Sequence, residues 1–142
     1  MIVEQLGPRD RERAAALWAL AGLTRPWNDP LEDFDRALVG PTSTVLGLLD
    51  GVALIGTAMV GHDGHRGWVY YLAVAPEHRG LGHGARLMSA AEDWLRENGA
   101  VKVHVMVRHS NEHVTAFYEG LGYEDAQVSV LARWLHDEPS TK

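Results

Sequence analysis

The stretch YYLAVAPEHRGLGHGARL, residues 70–87, decides the fold that the sequence predicts. It begins as an apolar strand that ends at Pro76, and it passes through glycines 80, 82 and 84 directly into an amphipathic helix. Three glycines at alternate positions let the main chain approach a ligand closely, and the unpaired N–H groups of the first helical turn favour a phosphate. Glycine also serves simply to tighten a strand-to-helix turn, so this stretch alone leaves both interpretations open.

The composition is that of one ordinary globular domain: 142 residues, 46% apolar and 23% charged. The absence of cysteine excludes thiol nucleophiles, cysteine-based zinc sites and disulfide scaffolds, and it favours a reducing, cytoplasmic location. A formal charge of −6 opposes non-specific binding to nucleic acid. No apolar run approaches the roughly 20 residues of a membrane span, and the N-terminus lacks a signal-peptide pattern, so we expect no membrane partner.

Apolar periodicity predicts a single α+β domain over residues 1–142, with an antiparallel sheet first and alternating strands and helices after it. Helices are predicted from Pro8 onward and at about 31–39, 82–97 and 111–121. We expect residues 136–142 to form a mobile polar tail. The predicted strands cover 2–6, 42–49, 52–60, 68–75, 101–107 and, as a last strand or bent strand pair, 123–135.

Two common nucleotide-binding folds fit the glycine-rich stretch poorly. A Rossmann fold has this turn after its first strand and an acidic residue about 20 residues later. Here the turn lies in mid-chain and Lys102 begins the next strand. A P-loop needs Gly-Lys-Ser/Thr, which does not follow Gly84. A general nucleotide-binding domain is therefore disfavoured.

A second motif makes the pattern specific. Residues 111–123, NEHVTAFYEGLGY, contain an asparagine that opens a helix and a glycine followed by an aromatic residue at its end. Together with Arg79, Gly82 and Gly84, this motif resembles the GNAT superfamily of N-acetyltransferases over nearly the whole chain. Residues 25–30 and 63–67 are similar to the small bacterial YpeA-type members. The resemblance implies an α/β/α sandwich with a mixed, mostly antiparallel sheet, a splayed central strand pair and about four helices.

The resemblance also implies acetyl-CoA as the acetyl donor. The main chain of Leu72, Ala73 and Val74 would pair with its pantetheine arm like an added strand. Asn111 would reach the pantetheine or the reacting region, and Tyr118 would direct its phenol at the thioester sulfur. The pyrophosphate would be bound by the N–H groups of Arg79, Gly80, Leu81, Gly82, His83, Gly84 and Ala85.

Acetyl transfer to an amine requires a polarised carbonyl, a protonated leaving thiolate and a neutral amine. A strand N–H near Val74 is the natural donor to the carbonyl, because a fixed main-chain dipole needs little reorganisation. Tyr118 is the candidate acid for the thiolate, with packing in the core as its alternative role. Phe117 is assigned to the core.

The general base stays open among three residues. An alkylamine with a pKa of ~10 is mostly protonated at neutral pH, so a carboxylate or imidazole must remove the proton directly or through water. The candidates in order are Asp63, His65 and Glu77, and each also fits a solvated turn residue. No glutamate lies within residues 70–74, where some members of the family carry their base, and this favours a water relay.

The acceptor side is implied by the resemblance. The loop that carries Trp27, Asn28 and Asp29 lies over the acceptor cleft in this family, although Trp27 equally fits a loop anchor. Arg25 would pair with an acidic group on the substrate. Adjacent strand residues Tyr70 and Tyr71 face opposite sides, so one of them faces the cleft. No metal is expected, because His62, Asp63 and His65 lack a fixed further ligand.

The predicted function is acetyl-CoA-dependent transfer of an acetyl group to a primary amine, on a small molecule or on a peptide or protein, by direct attack in a ternary complex. Because the chain has no cysteine, no cysteine acyl-enzyme forms. The alternative is a non-catalytic acyl-CoA-binding sensor or partner module. Many members of the family are dimers, which makes a homodimer a further expectation.

Overall fold

The computed structural model describes residues 1–136. Its first half contains β1 (Ile2–Gln5), a 3₁₀ turn (Pro8–Asp10), α1 (Arg11–Leu20), α2 (Pro30–Val39), β2 (Ser43–Asp50) and β3 (Ala53–His62). Its second half contains β4 (Gly67–Val74), a 3₁₀ turn (Pro76–His78), α3 (His83–Glu97), β5 (Val103–Val105) and α4 (Glu112–Gly120).

The five strands form one sheet in the order β1-β2-β3-β4-β5. All neighbours are antiparallel except β4 and β5, which are parallel. The β2–β3 hairpin turns at Asp50 and Gly51, where Gly51 has a φ of 60°, a left-handed conformation that glycine adopts without strain. α3 connects the parallel pair, as a parallel connection requires a crossover.

Helices cover both faces of the sheet, because alternate strand residues are apolar on both sides. On one face α1 and α2 place Leu17, Trp18 and Phe34 against the sheet. On the other face α3 and α4 place Leu87, Leu95 and Tyr118 against it. This arrangement confirms the predicted α/β/α sandwich with a mixed sheet and four α-helices in the described part of the chain.

Two predicted strands are wrong in extent. The pattern at 101–107 predicts seven strand residues, yet only Val103–Val105 pair, and the strand predicted within 123–135 does not form. A strand needs a hydrogen-bonded neighbour as well as a pattern. β5 has a neighbour on one side only, and residues 124–135 have none within the described chain. Of the predicted tail, residues 137–142 lie outside the described residues.

Across residues 1–136, no helix is both long enough and apolar enough for a bilayer span.

Candidate active site

The sheet opens between β4 and β5. The two strands pair from Gly67 opposite Val103 to Val69 opposite Val105, and the pairing stops there. Of residues 70–74 of β4, Tyr70, Ala73 and Val74 stay paired with β3 on one side. Their other edge therefore has main-chain groups available to an extended ligand. This is the predicted splay, and it includes Leu72, Ala73 and Val74.

A β-bulge shapes β4 at the point where the splay begins. Two residues of β4, Tyr71 and Leu72, lie opposite Ala58 of β3, between the pairs formed by Met59 with Tyr70 and by Thr57 with Ala73. Tyr71 has a φ of 51°, which is strained for a residue with a side chain. Such strain persists only where surrounding contacts hold the residue in place.

The contacts that hold Tyr71 come from α1, α2 and β3. The Trp18 indole N–H donates to Thr57 Oγ1 at 2.8 Å, and the Thr57 hydroxyl donates to the Tyr71 carbonyl at 2.9 Å. The rings of Trp18 and Tyr71 stack at 3.9 Å, and the Tyr71 hydroxyl donates to Asp33 Oδ2 at 2.7 Å. Burial and the Asp33 carboxylate raise the pKa of Tyr71. We call Trp18, Thr57, Tyr71 and Asp33 the bulge clamp.

Thr57→Val is expected to lower the free energy of unfolding by about 2–4 kcal/mol, because valine keeps the shape of threonine but leaves the Trp18 N–H and the Tyr71 carbonyl without partners. Both Trp18 and Thr57 are fully buried. Thr44→Val is the matched control, since buried Thr44 makes a single side-chain hydrogen bond of 3.2 Å, to Gln5. Urea denaturation measures the free energy of unfolding of both variants. Equal losses of stability would contradict a special role for Thr57.

The glycine-rich turn presents a run of unpaired donors. Within the described chain, the main-chain N–H groups of residues 80–85 donate to no protein acceptor, whereas Arg86 N–H closes the helix onto the Gly82 carbonyl at 3.1 Å. Gly80 and Gly82 have φ values of 77° and 84°. A Cβ on Gly84 would lie 3.1 Å from the Phe117 ring, so this glycine allows α3 to approach α4. The turn fits a diphosphate.

The basic residues near the turn divide in two groups. Arg79 stays beside it, with its Nε donating to the Val74 carbonyl at 3.3 Å, and the rings of His78 and His83 lie 6.3 Å apart there. Arg86 turns away and donates to the Met1 carbonyl at 2.8 Å. The local positive charge available to an anion therefore comes from Arg79 rather than from Arg86.

Tyr118 lies in the core on the α3 side of the sheet, 9% exposed. Its ring packs against Phe117 and Tyr123 at centroid distances of 5.1 and 5.5 Å, and its hydroxyl has no hydrogen-bond partner among residues 1–136. Burial raises the pKa of Tyr118 to about 12. The phenol therefore stays protonated at neutral pH and keeps its donor free. Full transfer of that proton to a thiolate, with a thiol pKa of ~8.5, is uphill, so its chemistry is that of a hydrogen-bond donor.

Asn111 and the loop before α2 have structural partners. Asn111 Oδ1 accepts from the Val114 N–H at 3.2 Å and caps α4. Asp29 caps α2 in the same way, and Arg25 donates to the carbonyls of Gly22 and Thr24. The guanidinium carbon of Arg108 lies over the Trp27 ring, 5.6 Å from the centre of that ring. The loop before α2 therefore contacts the chain that follows β5.

A cavity of about 550 Å³ opens beside the bulge clamp, between α2 and the ends of β3 and β4. It brings together four of the predicted acceptor-side or base residues, Asn28, Asp63, Tyr70 and Tyr71. Arg25, Trp27, Asp29, His65 and Glu77 lie outside its lining. The other lining residues are Asp33, Arg36, Ala37, Thr42, Ser43, Met59, Val60, Gly61, His62 and Trp68.

The candidate bases differ sharply in their surroundings. Asp63 accepts from the N–H groups of Arg66 and His65 at 2.7 and 2.9 Å and from the Trp68 indole at 3.2 Å. These hydrogen bonds lower the pKa of Asp63 to about 2. A carboxylate with that pKa is a weak base, but its charge persists at neutral pH. Glu77 is exposed in the 3₁₀ turn after β4.

Sequence reasoning missed the bulge clamp partners Trp18, Thr57 and Asp33. The helical spacing of its apolar neighbours predicts that Trp18 lies in the core. No sequence pattern predicts a role for a threonine in a strand such as Thr57. Both acquire their role from contacts 39 residues apart in the chain. Of the other cavity residues, His62 directly precedes Asp63 and Trp68 follows it by five residues, and proximity to that turn is the one available signal.

Comparison with known proteins agrees with this geometry. Residues 13–123 match the model of the Acetyltransferase (GNAT) family. An acetyltransferase of Yersinia enterocolitica is 40% identical over 126 residues, 89% of either chain. The fold is similar to that of an aminoglycoside N-acetyltransferase solved with CoA, with a TM-score of 0.82, 16% identity and 95% of each chain covered. It is also similar to a ribosomal-protein-alanine N-acetyltransferase from Brucella melitensis, with a TM-score of 0.76 and 22% identity, covering 94% of this chain and 99% of that one.

The family match therefore identifies the protein as an acetyltransferase. The chain belongs to the GNAT family, and it is an N-acetyltransferase that uses acetyl-CoA.

Proposed function

We propose that the protein acetylates a primary amine that enters the cavity beside Tyr70, by direct attack in a ternary complex. One observation carries this proposal: the unpaired edge at residues 70–74 joins the N–H groups of the glycine-rich turn at one end to the cavity at the other. A donor laid along that edge would bring its acetyl end to the bulge, next to the amine. Two reactants held in that geometry need no covalent enzyme intermediate.

The residues present fit acetyl-CoA, which supplies an activated acetyl group as a thioester. Donors at 80–85 would hold its diphosphate, with Arg79 beside them, and Leu72, Ala73 and Val74 would bind the pantetheine amides. Asn111 caps α4 through Oδ1, which leaves its amide N–H₂ to reach toward the same arm. A main-chain N–H near Val74 would polarise the carbonyl, and Tyr118 would donate to the sulfur.

The cavity suits a cationic acceptor. Asp63 is ionised at neutral pH, and the aromatic rings of Trp68 and Tyr70 line the same space. A carboxylate and aromatic faces together attract an ammonium group. Asp63 would therefore bind and orient the amine, and the proton of the ammonium group would leave through water. Arg36 at the other side of the cavity would contact an acidic group on the acceptor, a role predicted for Arg25, whose guanidinium instead donates to Gly22 and Thr24.

With an alkylamine acceptor, kcat/KM is expected to rise about tenfold per pH unit from pH 6 until the amine's own pKa near 10. The reason is that Asp63, with a pKa of about 2, does not remove the proton of the ammonium group, so the rate follows the fraction of neutral amine. Tyr118, with a pKa of about 12, keeps its hydroxyl proton throughout this range. Initial rates across pH measure this. A peptide with a free α-amino group should level off near pH 8. A plateau that begins well below the pKa of either amine would instead identify a base on the enzyme, with His62 and His65 as candidates.

Release of free thiol from acetyl-CoA across a panel of amines tests the proposal. Turnover with acceptors that carry an amine and a second polar group supports it. Tight CoA binding by calorimetry without turnover for any amine would support the alternative, a non-catalytic acyl-CoA-binding module. Competition by ATP or NAD at similar affinity would support a general nucleotide-binding domain.

The cellular setting is part of the proposal. We place the protein in a bacterial cytoplasm, which is supported by the absence of cysteine and by the bacterial relative. Immunoblotting of cell fractions tests the location.

A further inference from the structure

Arg36 is the one lysine or arginine of the described chain that lines the cavity beside the bulge clamp. Glu32 and Asp33 precede it on α2 at the spacings at which helical ion pairs form. Within residues 1–136, however, no hydrogen bond or ion pair engages the Arg36 guanidinium. A guanidinium beside a cavity and without a protein partner is available to an anionic group of a ligand.

The aspartates of α2 are committed to other partners. Asp33 accepts from the Tyr71 hydroxyl at 2.7 Å in the bulge clamp, and Asp35 pairs with Arg11 at 2.8 Å. Asp29 caps the first turn of the helix. Each contact holds a carboxylate on a group other than Arg36. The positive charge on this side of the cavity is therefore left for a ligand.

The opposite charge, on the other side of the cavity, belongs to Asp63. Its Oδ1 accepts two main-chain N–H groups of the turn, and its Oδ2 accepts from the Trp68 indole N–H at 3.2 Å. These hydrogen bonds fix the carboxylate and keep it ionised at neutral pH. The cavity therefore has an oriented anion on one side and an unpaired cation on the other.

The register of the sheet sets how far apart these charges are anchored. The Ser43 hydroxyl donates to the Ala37 carbonyl at 2.9 Å, which holds the end of α2 against Ser43. Ser43 pairs with Gly61, and Asp63 follows Gly61 by two residues. One strand spacing across the sheet and two residues along it give roughly 8 Å between the positions of Ser43 and Asp63. A small molecule can therefore reach both Arg36 and Asp63.

Aromatic side chains line the space between the two charges. Trp68, Tyr70 and Tyr71 all face it, because the β-bulge turns two consecutive tyrosines to the same side of the sheet. Strict alternation along the strand would place these tyrosines on opposite sides. Met59 of β3 adds an apolar surface. The part of a ligand that spans the two charges is therefore expected to be apolar.

We propose that the acceptor is a small amino-carboxylate, with a primary amine at one end, a carboxylate at the other and an apolar body between them. Asp63 would bind its ammonium group and Arg36 its carboxylate, while the body lies against Trp68 and Tyr70. The inference rests on the proposed function and narrows its acceptor. A compound with a second ammonium group in place of the carboxylate would meet the unpaired charge of Arg36, so such compounds are disfavoured.

Three amines with the same carbon chain test the proposal, because they differ only at the far end: ε-aminocaproate, hexylamine and hexamethylenediamine. The wild-type kcat/KM for ε-aminocaproate is expected to exceed that for hexylamine by about 10- to 100-fold, as for one charge-assisted hydrogen-bonded pair. The diamine is expected to be the poorest acceptor. Equal kcat/KM for all three would overturn the inference and leave the acetylation of amines intact.

Arg36→Glu reverses the charge on this side of the cavity, and Arg9→Glu is the matched control. Arg9 is exposed in the 3₁₀ turn before α1 and lies outside the cavity lining. Arg36→Glu is expected to prefer the diamine to ε-aminocaproate, whereas Arg9→Glu keeps the wild-type order. Arg36→Gln, which only removes the charge, should give ε-aminocaproate and hexylamine similar kcat/KM. The affinity for CoA should change less than about twofold in all three variants, since none of them lies in the cofactor turn. A wild-type order in Arg36→Glu would overturn the proposal.

Calorimetry with CoA bound separates this inference from the proposed reaction, because CoA carries no acetyl group to transfer. ε-Aminocaproate is expected to bind the wild type at least about tenfold more tightly than Arg36→Gln. Such binding without turnover of acetyl-CoA would support the amino-carboxylate site and contradict the proposed acetylation. Neither binding nor turnover of any of the three amines would overturn both.

A protein can present the same two charges as an N-terminal amine with an acidic side chain close behind it. The amidated peptides Ser-Glu-Ala-Ala and Ser-Gln-Ala-Ala differ only in that acidic charge. Both are expected to be poorer acceptors than ε-aminocaproate. A higher kcat/KM for the glutamate peptide than for ε-aminocaproate would overturn the assignment to a small molecule.

Discussion

Tyr118→Phe is expected to lower kcat about 100-fold while changing the affinity for CoA less than about twofold. Losing one preorganised hydrogen bond to developing charge costs about that much in rate. Stability should hardly change, because within the described chain the hydroxyl has no hydrogen-bond partner to lose. Steady-state kinetics with calorimetry of CoA binding gives both quantities.

Tyr123→Phe is the control for that substitution. The Tyr123 ring packs 5.5 Å from that of Tyr118, but its hydroxyl donates to Glu92. This variant should lose about 1.5–3 kcal/mol of stability, as for a hydrogen bond to a charged group, and keep its kcat. If Tyr118→Phe lowered CoA affinity and rate equally, packing rather than hydrogen bonding to sulfur would be its role.

Gly82→Ala is expected to weaken CoA binding by about 10- to 100-fold, the loss of one hydrogen bond to a charged group. Gly82 has a φ of 84° and opens α3, so a side chain there strains the turn and redirects its free N–H groups. Calorimetric titration with CoA measures the change in affinity.

Gly99→Ala provides an unusually close control. Gly99 follows the other end of α3, has the same φ of 84° and likewise has open space where a Cβ would lie. Both variants should lose about 1–2 kcal/mol of stability from the left-handed conformation. Only Gly82→Ala should lose CoA affinity. A similar loss of affinity in both variants would show that the effect passes through the helix rather than through the donors.

Local chemistry made part of this structure predictable. Pro76 and the three glycines set the turn into α3 from within ten residues of sequence, and the Asp50-Gly51 pair set the hairpin. The splay and Tyr118 followed from the resemblance to a family. All of these depend on residues that are close in sequence or on a motif that recurs.

Other features depend on contacts that no local pattern records. Trp18 and Thr57 reach Tyr71 only when α1 packs on the sheet. The strand predicted at 123–135 is wrong for the opposite reason: its pattern is local, but no strand of the described chain pairs with it. Asp63 ranked first as a base because of its residue type, and the hydrogen bonds that lower its pKa arise from the folded turn.

The bulge clamp ties the edge of β4, where we propose that the acetyl donor binds, to the first helix. Tyr71 keeps its strained backbone through a ring in α1, a helix on the opposite face of the sheet from α3 and its glycine-rich turn. Heat that loosens this helix layer would let the strand relax while the rest of the sheet is still intact. The temperature optimum of the enzyme would then lie below its melting temperature, and engineering a hardier catalyst would begin with the packing around Trp18 rather than with the groups that meet the substrate.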